Sequence, residues 1–375
     1  MNAIARRETR TPSAAGTLLV AATLLLATVA SLAGAGLAAA APPPLRFGIA
    51  PLAQTGQIGA TPAPAVGEDL RATLRWLDRL RPARHRFVLR LNRFFWADGE
   101  RAFARYLRLA RRFGAAGYKI ELQVRYRPPV GKAGDIRAWT AHVRAVVRRF
   151  GRIRAVEALQ IANEVNFDFS PDSSDGWFPG ARGALVAGVI AARDEARRLR
   201  LRHLRIGFNW AYRRDPAYER TFWRDVGRLG GSRFARSVQW IGLDAYPGTV
   251  FPPPSPGLDE GRALVAAARE LRKYARLAHL SSRLPLRIEE CGWPTFPGRS
   301  ERYQATALAR MVLAAWRARG ELRITDFRWF NVRDGDTSSP LPFQHFGLLR
   351  SDYTPKPAFA TYRRLLRDPL GRGHR

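Results

Sequence analysis

Two glutamates stand in settings suited to acid–base chemistry. Glu164 follows Asn163 at the end of the apolar run Leu159-Gln160-Ile161-Ala162, and Glu290 lies within Ile288-Glu289-Glu290-Cys291-Gly292-Trp293-Pro294-Thr295. Two carboxyl groups facing each other across a cleft can divide the hydrolysis of an acetal: one protonates the departing oxygen, the other serves as base or nucleophile. Other apolar runs also end in polar or aromatic groups: Arg90 and Asn92, Gln123 with Arg125 and Tyr126, Asn209 and Trp210, Asp244 and Tyr246, Trp329 and Asn331. A strand face packed on helices has no use for such groups, so they read as the lining of a site.

These residues must be positioned by the elements that precede them. Short apolar runs at 46–50, 86–91, 119–124, 158–162, 205–209, 240–245, 286–288 and 326–330 predict eight strands covered on both faces. Between them lie amphipathic stretches. Leu70, Leu74 and Leu77 have helical spacing, and Asp135 caps a run carrying Ile136, Trp139, Val143, Val146 and Val147. Similar runs occupy 181–199, 259–277 and 300–319, with Gly114, Gly117 and Gly320 at helix ends. Eight strands alternating with helices predict a single-domain α/β fold, the (β/α)8 TIM barrel, whose site lies at the carboxyl ends of the strands. An open doubly wound sheet usually shows a glycine-rich turn after its first strand, and Gly48-Ile49-Ala50-Pro51 is not one.

On these motifs the chain resembles clan A glycoside hydrolases, and locally the endo-1,3-β-glucanases among them. Leu159-Gln160-Ile161-Ala162-Asn163-Glu164-Val165 is similar to the strand-four acid/base signature, and Glu290-Cys291-Gly292-Trp293-Pro294 to the strand-seven nucleophile motif Glu-x-Gly-Trp-Pro. Phe346-Gly347-Leu348-Leu349 followed by Lys356-Pro357-Ala358-Phe359 resembles the return from strand eight into the last helix. Ala162 departs from the glycine that many 1,3-β-glucanases carry there. The resemblance implies a retaining mechanism with Glu164 as acid/base and Glu290 as nucleophile. It implies Asn163 bonded to the sugar 2-hydroxyl, Arg90 and Tyr246 holding Glu290 ionised, and Trp329 as the floor under the reacting sugar. The implied partner is a polysaccharide or oligosaccharide, bound by a monomer that needs no cofactor and no metal. Two alternatives stay open: a catalytically silent glycan-binding barrel, and a hydrolase of the same clan acting on xylan, mannan or an envelope glycan.

Several neighbours take plainer readings. Glu289 alternates with Glu290 and is expected to point outward or to pair with an arginine. Asp244 is an even choice between cleft and scaffold. Cys291 is expected to be buried and inert, and His345 to be a hydrogen-bonded loop residue. Asp168, Asp172 and Asp175 match no calcium-loop spacing and are expected to be solvated. The chain carries no His-Glu-x-x-His, no Gly-x-Ser-x-Gly and no phosphate-binding Gly-Lys-Ser/Thr motif.

Composition bounds the rest. Of 375 residues 46% are hydrophobic, enough for a packed core, and a single cysteine leaves no internal disulfide. The formal charge of +32 comes almost wholly from arginine spread along every helix. That reads as compositional bias, placed on the outer helices, with no nucleic-acid partner implied and at most a weak attraction to an anionic cell envelope. Residues 1–44 run from Arg6, Arg7 and Arg10 through an apolar stretch to Ala38-Ala39-Ala40 and a proline-rich junction. That order predicts a signal peptide or an uncleaved membrane anchor, and hence an extracellular or membrane-anchored domain over 45–375.

Overall fold

The structure, a computed structural model, describes residues 42–53, 66–82, 86–250 and 257–369. All elements below belong to the unit Pro43–Arg375. The predicted leader over 1–44 lies outside the described residues except for its last three positions. Among the described residues no helix is long and apolar enough to cross a membrane.

Eight parallel strands close into a barrel in sequence order: β1 (Arg46–Ile49), β2 (Phe87–Phe95), β3 (Lys119–Arg125), β4 (Val156–Ile161), β5 (Arg205–Ala211), β6 (Trp240–Asp244), β7 (Leu286–Cys291) and β8 (Ile324–Trp329). Eight helices cover it: α1 (Leu70–Leu80), α2 (Gly99–Ala115), α3 (Ile136–Phe150), α4 (Ala181–Arg198), α5 (Pro216–Ser237), α6 (Glu260–Ala275), α7 (Glu301–Leu322) and α8 (Pro357–Arg367). This is the predicted single (β/α)8 barrel. Helix starts follow capping chemistry: Asp69, Asp135, Asp215, Asp259 and Ser300 each accept a backbone N–H of the first turn. Gly320, expected at a helix end, lies inside α7, which continues to Leu322 and stops at Arg323 with φ 51°.

Strand alternation sorts the interior into two regions. Leu89, Leu91, Ile120, Leu122, Leu159, Ile161, Ile206, Phe208, Ile241, Leu243, Ile288 and Phe327 belong to the apolar core between strands and helices. Their alternating partners fill the barrel with charge: Arg90, Glu121, Arg287, Glu289, Asp326 and Arg328 are all at most 4% exposed. Arg287 Nη1 donates to Glu121 Oε2 at 2.7 Å, and Arg328 Nη2 to Asp326 Oδ1 at 2.6 Å. Arg90 Nε lies 3.5 Å from Glu121 and 3.6 Å from Glu289. Burial alone would raise the Asp326 pKa; Arg328, Arg287 and Arg46 overcome it and hold that carboxylate ionised. Glu289 goes the other way: burial and the nearby Glu121 push its pKa well up. Gly48 makes room for this layer, since a Cβ there would come within 2.6 Å of Arg328 Cδ.

Candidate active site

At the carboxyl ends of the strands a cavity is lined by Asn163, Glu164, Asp244, Tyr246 and Glu290 among others. The chain reaches it under backbone strain. Arg93 at the β2 bulge has φ 64°, and after β4 Ala162 and Glu164 have φ 59° and 47°, a region that L-residues enter at a cost of about 1–3 kcal/mol each. The β4 turn is paid for by three contacts. Glu164 N–H donates to Asn209 Oδ1 at 3.0 Å, Asn163 N–H to Asp175 Oδ2 at 2.9 Å, and Ala162 N–H to Val124 O at 2.8 Å.

Glu290 is held from two sides. Arg90 Nη1 donates to its Oε1, and the Tyr246 hydroxyl to its Oε2 at 2.6 Å. Arg90 is itself fixed by Asn92 Oδ1 at 2.8 Å and Gln160 Oε1 at 2.6 Å. Both contacts orient the carboxylate, and one of them sets a cation against it. Glu164 is the opposite case. Burial, and then the negative charge of Glu290, push its pKa up to about 8. Oxygen atoms of Glu164, Asp244 and Glu290 all lie within 4.8 Å of one another. Asp244 is buried beside them, its Oδ2 accepts from Asn209 Nδ2, and burial with the Glu290 charge pushes its pKa well up. The site therefore sets Glu290, held by a cation and a hydroxyl, opposite two carboxyl groups whose pKa values are raised, an arrangement that can donate a proton on one side of a bond and attack on the other.

Asn163 sits at the centre of an amide cluster. Its Oδ1 accepts from Gln123 at 2.7 Å, Asn209 at 2.8 Å and Gln160 at 3.0 Å, while its Nδ2 donates to Ser173 O at 2.9 Å. Three acceptor bonds orient the amide, and the second Nδ2 hydrogen remains available to a ligand.

Trp329 is a correction. It is wholly buried, with its indole N–H donating to Phe346 O at 3.1 Å, and does not line the cavity. Along β8 the inward positions are Asp326 and Arg328, so alternation sends Trp329 outward and brings Phe330 to the cavity wall. The peptide joining Phe330 to Asn331 is cis. Glu289 takes the second of its two expected readings: it points into the barrel and lies against arginines, Arg90 at 3.6 Å and Arg287 at 3.9 Å. A register shift between Ile288 and Cys291 lets Glu290 face the cavity despite following it.

The aspartates of the β4–α4 loop are not solvated as a group. Asp175 is buried and takes Arg125 Nε at 2.7 Å and the N–H groups of Tyr126 and Asn163. Asp172 is buried against Arg93 at 2.9 Å, and Asp168 meets Arg213 at 3.0 Å. Cys291 is buried, its thiol 3.4 Å from Arg328 O, and His345 Nε2 lies 2.6 Å from Ser339 O. Most arginines sit on the outer helices, but Arg93 and Arg125 line the cavity itself.

No family model matches the chain, and no curated protein matches it. Solved structures share its fold. GH5_18 from Streptomyces cattleya, in complex with GlcNAc, is 15% identical with a TM-score of 0.59, the match covering 88% of this chain and 82% of that one. One of two fungal β-1,4-galactanases is 13% identical at a TM-score of 0.56 over 85% and 99% of the two chains. A β-glucosidase in its apo form is 17% identical at 0.55 over 79% and 87%.

Proposed function

We propose that the chain is a retaining glycoside hydrolase that cleaves a β-linked glycan by double displacement, with Glu290 as nucleophile and Glu164 as acid/base. The observation that carries this reading is the pair itself. Glu290, gripped by Arg90 and Tyr246, faces a Glu164 whose pKa is pushed up to about 8, with one oxygen of each within 4.8 Å of the other. Retaining enzymes hold their carboxyl groups about 5–5.5 Å apart, whereas inverting ones leave roughly 6.5–9.5 Å for a water. In the first step Glu290 attacks the anomeric carbon while Glu164 protonates the departing oxygen. In the second, Glu164 deprotonates a water that releases the sugar from Glu290. The named functions of the structural neighbours support glycoside hydrolysis in general. The likeness of Glu290-Cys291-Gly292-Trp293-Pro294 to 1,3-β-glucanases supports a β-linked glycan as substrate, and the leader predicted over 1–44 supports action outside the cytoplasm. Purified protein is to be assayed on β-glucans, xylan, mannan and cell-wall fractions, with the anomer of the first-formed product read by NMR. The expected product is the β-anomer; an α-anomer on first release would overturn the retaining mechanism.

The pH profile follows from Glu164. Its proton is held to about 8 in the folded chain, against the usual 4.5 of a free glutamate. The acid is therefore competent below that value, and kcat/KM is expected to fall about tenfold per pH unit above it. A dinitrophenyl glycoside, whose leaving group needs no proton, is expected to lose that alkaline limb. The stability contribution has the same sign: a raised carboxyl pKa stabilises the fold fully below about 4.5, and this contribution is lost as pH rises through about 8. An alkaline limb that persists unchanged with the activated substrate would show that another group controls it.

A further inference from the structure

Beside the paired glutamates three arginines surround one ring. The guanidinium carbons of Arg93, Arg125 and Arg127 lie 5.0, 5.1 and 5.0 Å from the centroid of Phe95. They come from the ends of neighbouring strands: Arg93 from the bulge of β2, Arg125 from the last residue of β3, and Arg127 two residues on. Arg93 and Arg125 line the same cavity as Glu164 and Glu290. Two carboxylates answer the three cations, Asp172 on Arg93 and Asp175 on Arg125. Among the described residues Arg127 has no carboxylate within ion-pair distance. Arg125 keeps a further debt: its side chain is 3% exposed, Asp175 satisfies only Nε, and Nη2 is buried with no hydrogen-bond partner.

A neutral sugar gives such a cluster nothing that amides and aromatic faces would not. Like charges gathered around one ring repel one another, and a buried unpaired donor costs free energy until an acceptor reaches it. An anionic group resolves both, because it cancels the surplus charge and offers guanidinium groups the acceptors they pair with best. The rest of the cavity does not oppose an anion. Burial and the Glu290 charge push the Glu164 pKa up to about 8 and the Asp244 pKa well up, and Arg90 sits against Glu290.

We propose that the Arg93–Arg125–Arg127 cluster is a subsite for a sugar bearing a negative charge, a carboxylate or a sulfate ester, so that the glycan cleaved here is acidic. This rests on the hydrolase reading for the word cleaved, but the binding claim stands apart from it. Binding is therefore measured first, on Glu290→Gln, which cannot turn over. The probes are a β-linked oligosaccharide containing glucuronic acid, the same oligosaccharide with its carboxyl groups reduced to alcohols, and a sulfated β-glucan oligosaccharide.

The acidic form is expected to bind at least about tenfold tighter than its reduced counterpart, with the preference shrinking as salt rises. The sulfated probe distinguishes the two anions by its affinity relative to the carboxylate. Arg127→Gln is expected to bring the acidic-to-neutral ratio close to one while leaving affinity for the reduced oligosaccharide unchanged. Loss of fold would lower both affinities together, so the ratio separates recognition from damage. Arg93→Gln provides the second variant; Arg125→Gln strands the buried Asp175 and is the one most at risk of misfolding. Equal binding of acidic and reduced forms, or a ratio untouched by Arg127→Gln, overturns the proposal. Hydrolysis of neutral glycans with no preference for acidic ones overturns it while leaving the hydrolase reading intact. Tight acidic binding without hydrolysis by the parent protein does the reverse.

Discussion

Replacing Glu290 with alanine is expected to lower turnover by roughly 10⁴-fold or more on every substrate, about 5.5 kcal/mol of transition-state stabilisation. The variant loses the carboxylate that Arg90 and Tyr246 both hold in the cavity. Glu164→Ala is expected to fail differently. It loses the proton donor, so natural glycans are cut slowly, yet a dinitrophenyl glycoside still loads Glu290. The glycosyl-enzyme then accumulates for want of a base, and azide restores turnover by attacking without one. The azide product should keep the β configuration from Glu164→Ala and be inverted to α from Glu290→Ala, because azide attacks the enzyme-bound sugar in the first case and takes the place of the nucleophile in the second. Both anomers are read by NMR. Near-normal activity in both alanine variants would show that these glutamates are not the catalytic pair.

The second large effect is expected at Arg90. It is 1% exposed and joins the cavity to the charged interior, touching Glu290 above and Glu121 and Glu289 below. Arg90→Met leaves ionised Glu290 and Glu121 without that cation. Removing one partner of a buried ion pair typically costs about 3–5 kcal/mol. At roughly 2–4 °C per kcal/mol for a domain near this size, Tm should fall by about 10 °C. Activity should fall further than stability explains, since Glu290 loses one of its two anchors. Arg90→Lys keeps the charge but cannot reach Glu290, Asn92 and Gln160 together, and should lie between. Calorimetry together with kcat at a temperature where both variants remain folded checks this. An unchanged Tm in Arg90→Met would show that the ion pairs do not support the barrel.

Much of this was legible because a parallel barrel writes apolar residues on the helix-facing side of every strand. Ile120, Leu122 and Val124 on β3, or Leu159 and Ile161 on β4, mark their strands plainly. The inward side was harder to read. β2 was expected to end at residue 91 but runs to Phe95, because the polar inward residues Arg90 and Asn92 and a register shift interrupt its apolar run. The same alternation misplaced Trp329: an aromatic at a strand end suggests a sugar platform, and only the phase set by Asp326 and Arg328 shows that Phe330 takes the wall. Glu164, Glu290, Arg90 and Tyr246 meet as their strand-end positions suggested. Asp172 and Asp175 could not be read that way. Their partners Arg93 and Arg125 lie 79 and 50 positions away, and no local pattern announces a loop aspartate that will be buried under a distant arginine.

The charged filling of the barrel also constrains how such a sequence can change over generations. Arg287 serves Glu121, Glu289 and Asp326, and Arg328 serves Asp326 and Glu121, so each exchange leaves a neighbour uncompensated. A single step towards an aliphatic interior meets the cost of a stranded ion, although the fully aliphatic end point need not be less stable. Gly48 adds a steric lock, because a Cβ there would come within 2.3 Å of the backbone oxygen of Val88 as well as 2.6 Å of Arg328 Cδ. The route from this interior to an uncharged one therefore runs through simultaneous or ordered exchanges of the charged residues, with Gly48 kept small by the neighbouring backbone whichever arginine leaves, and random drift will hold these positions as a block while the helices outside vary one residue at a time.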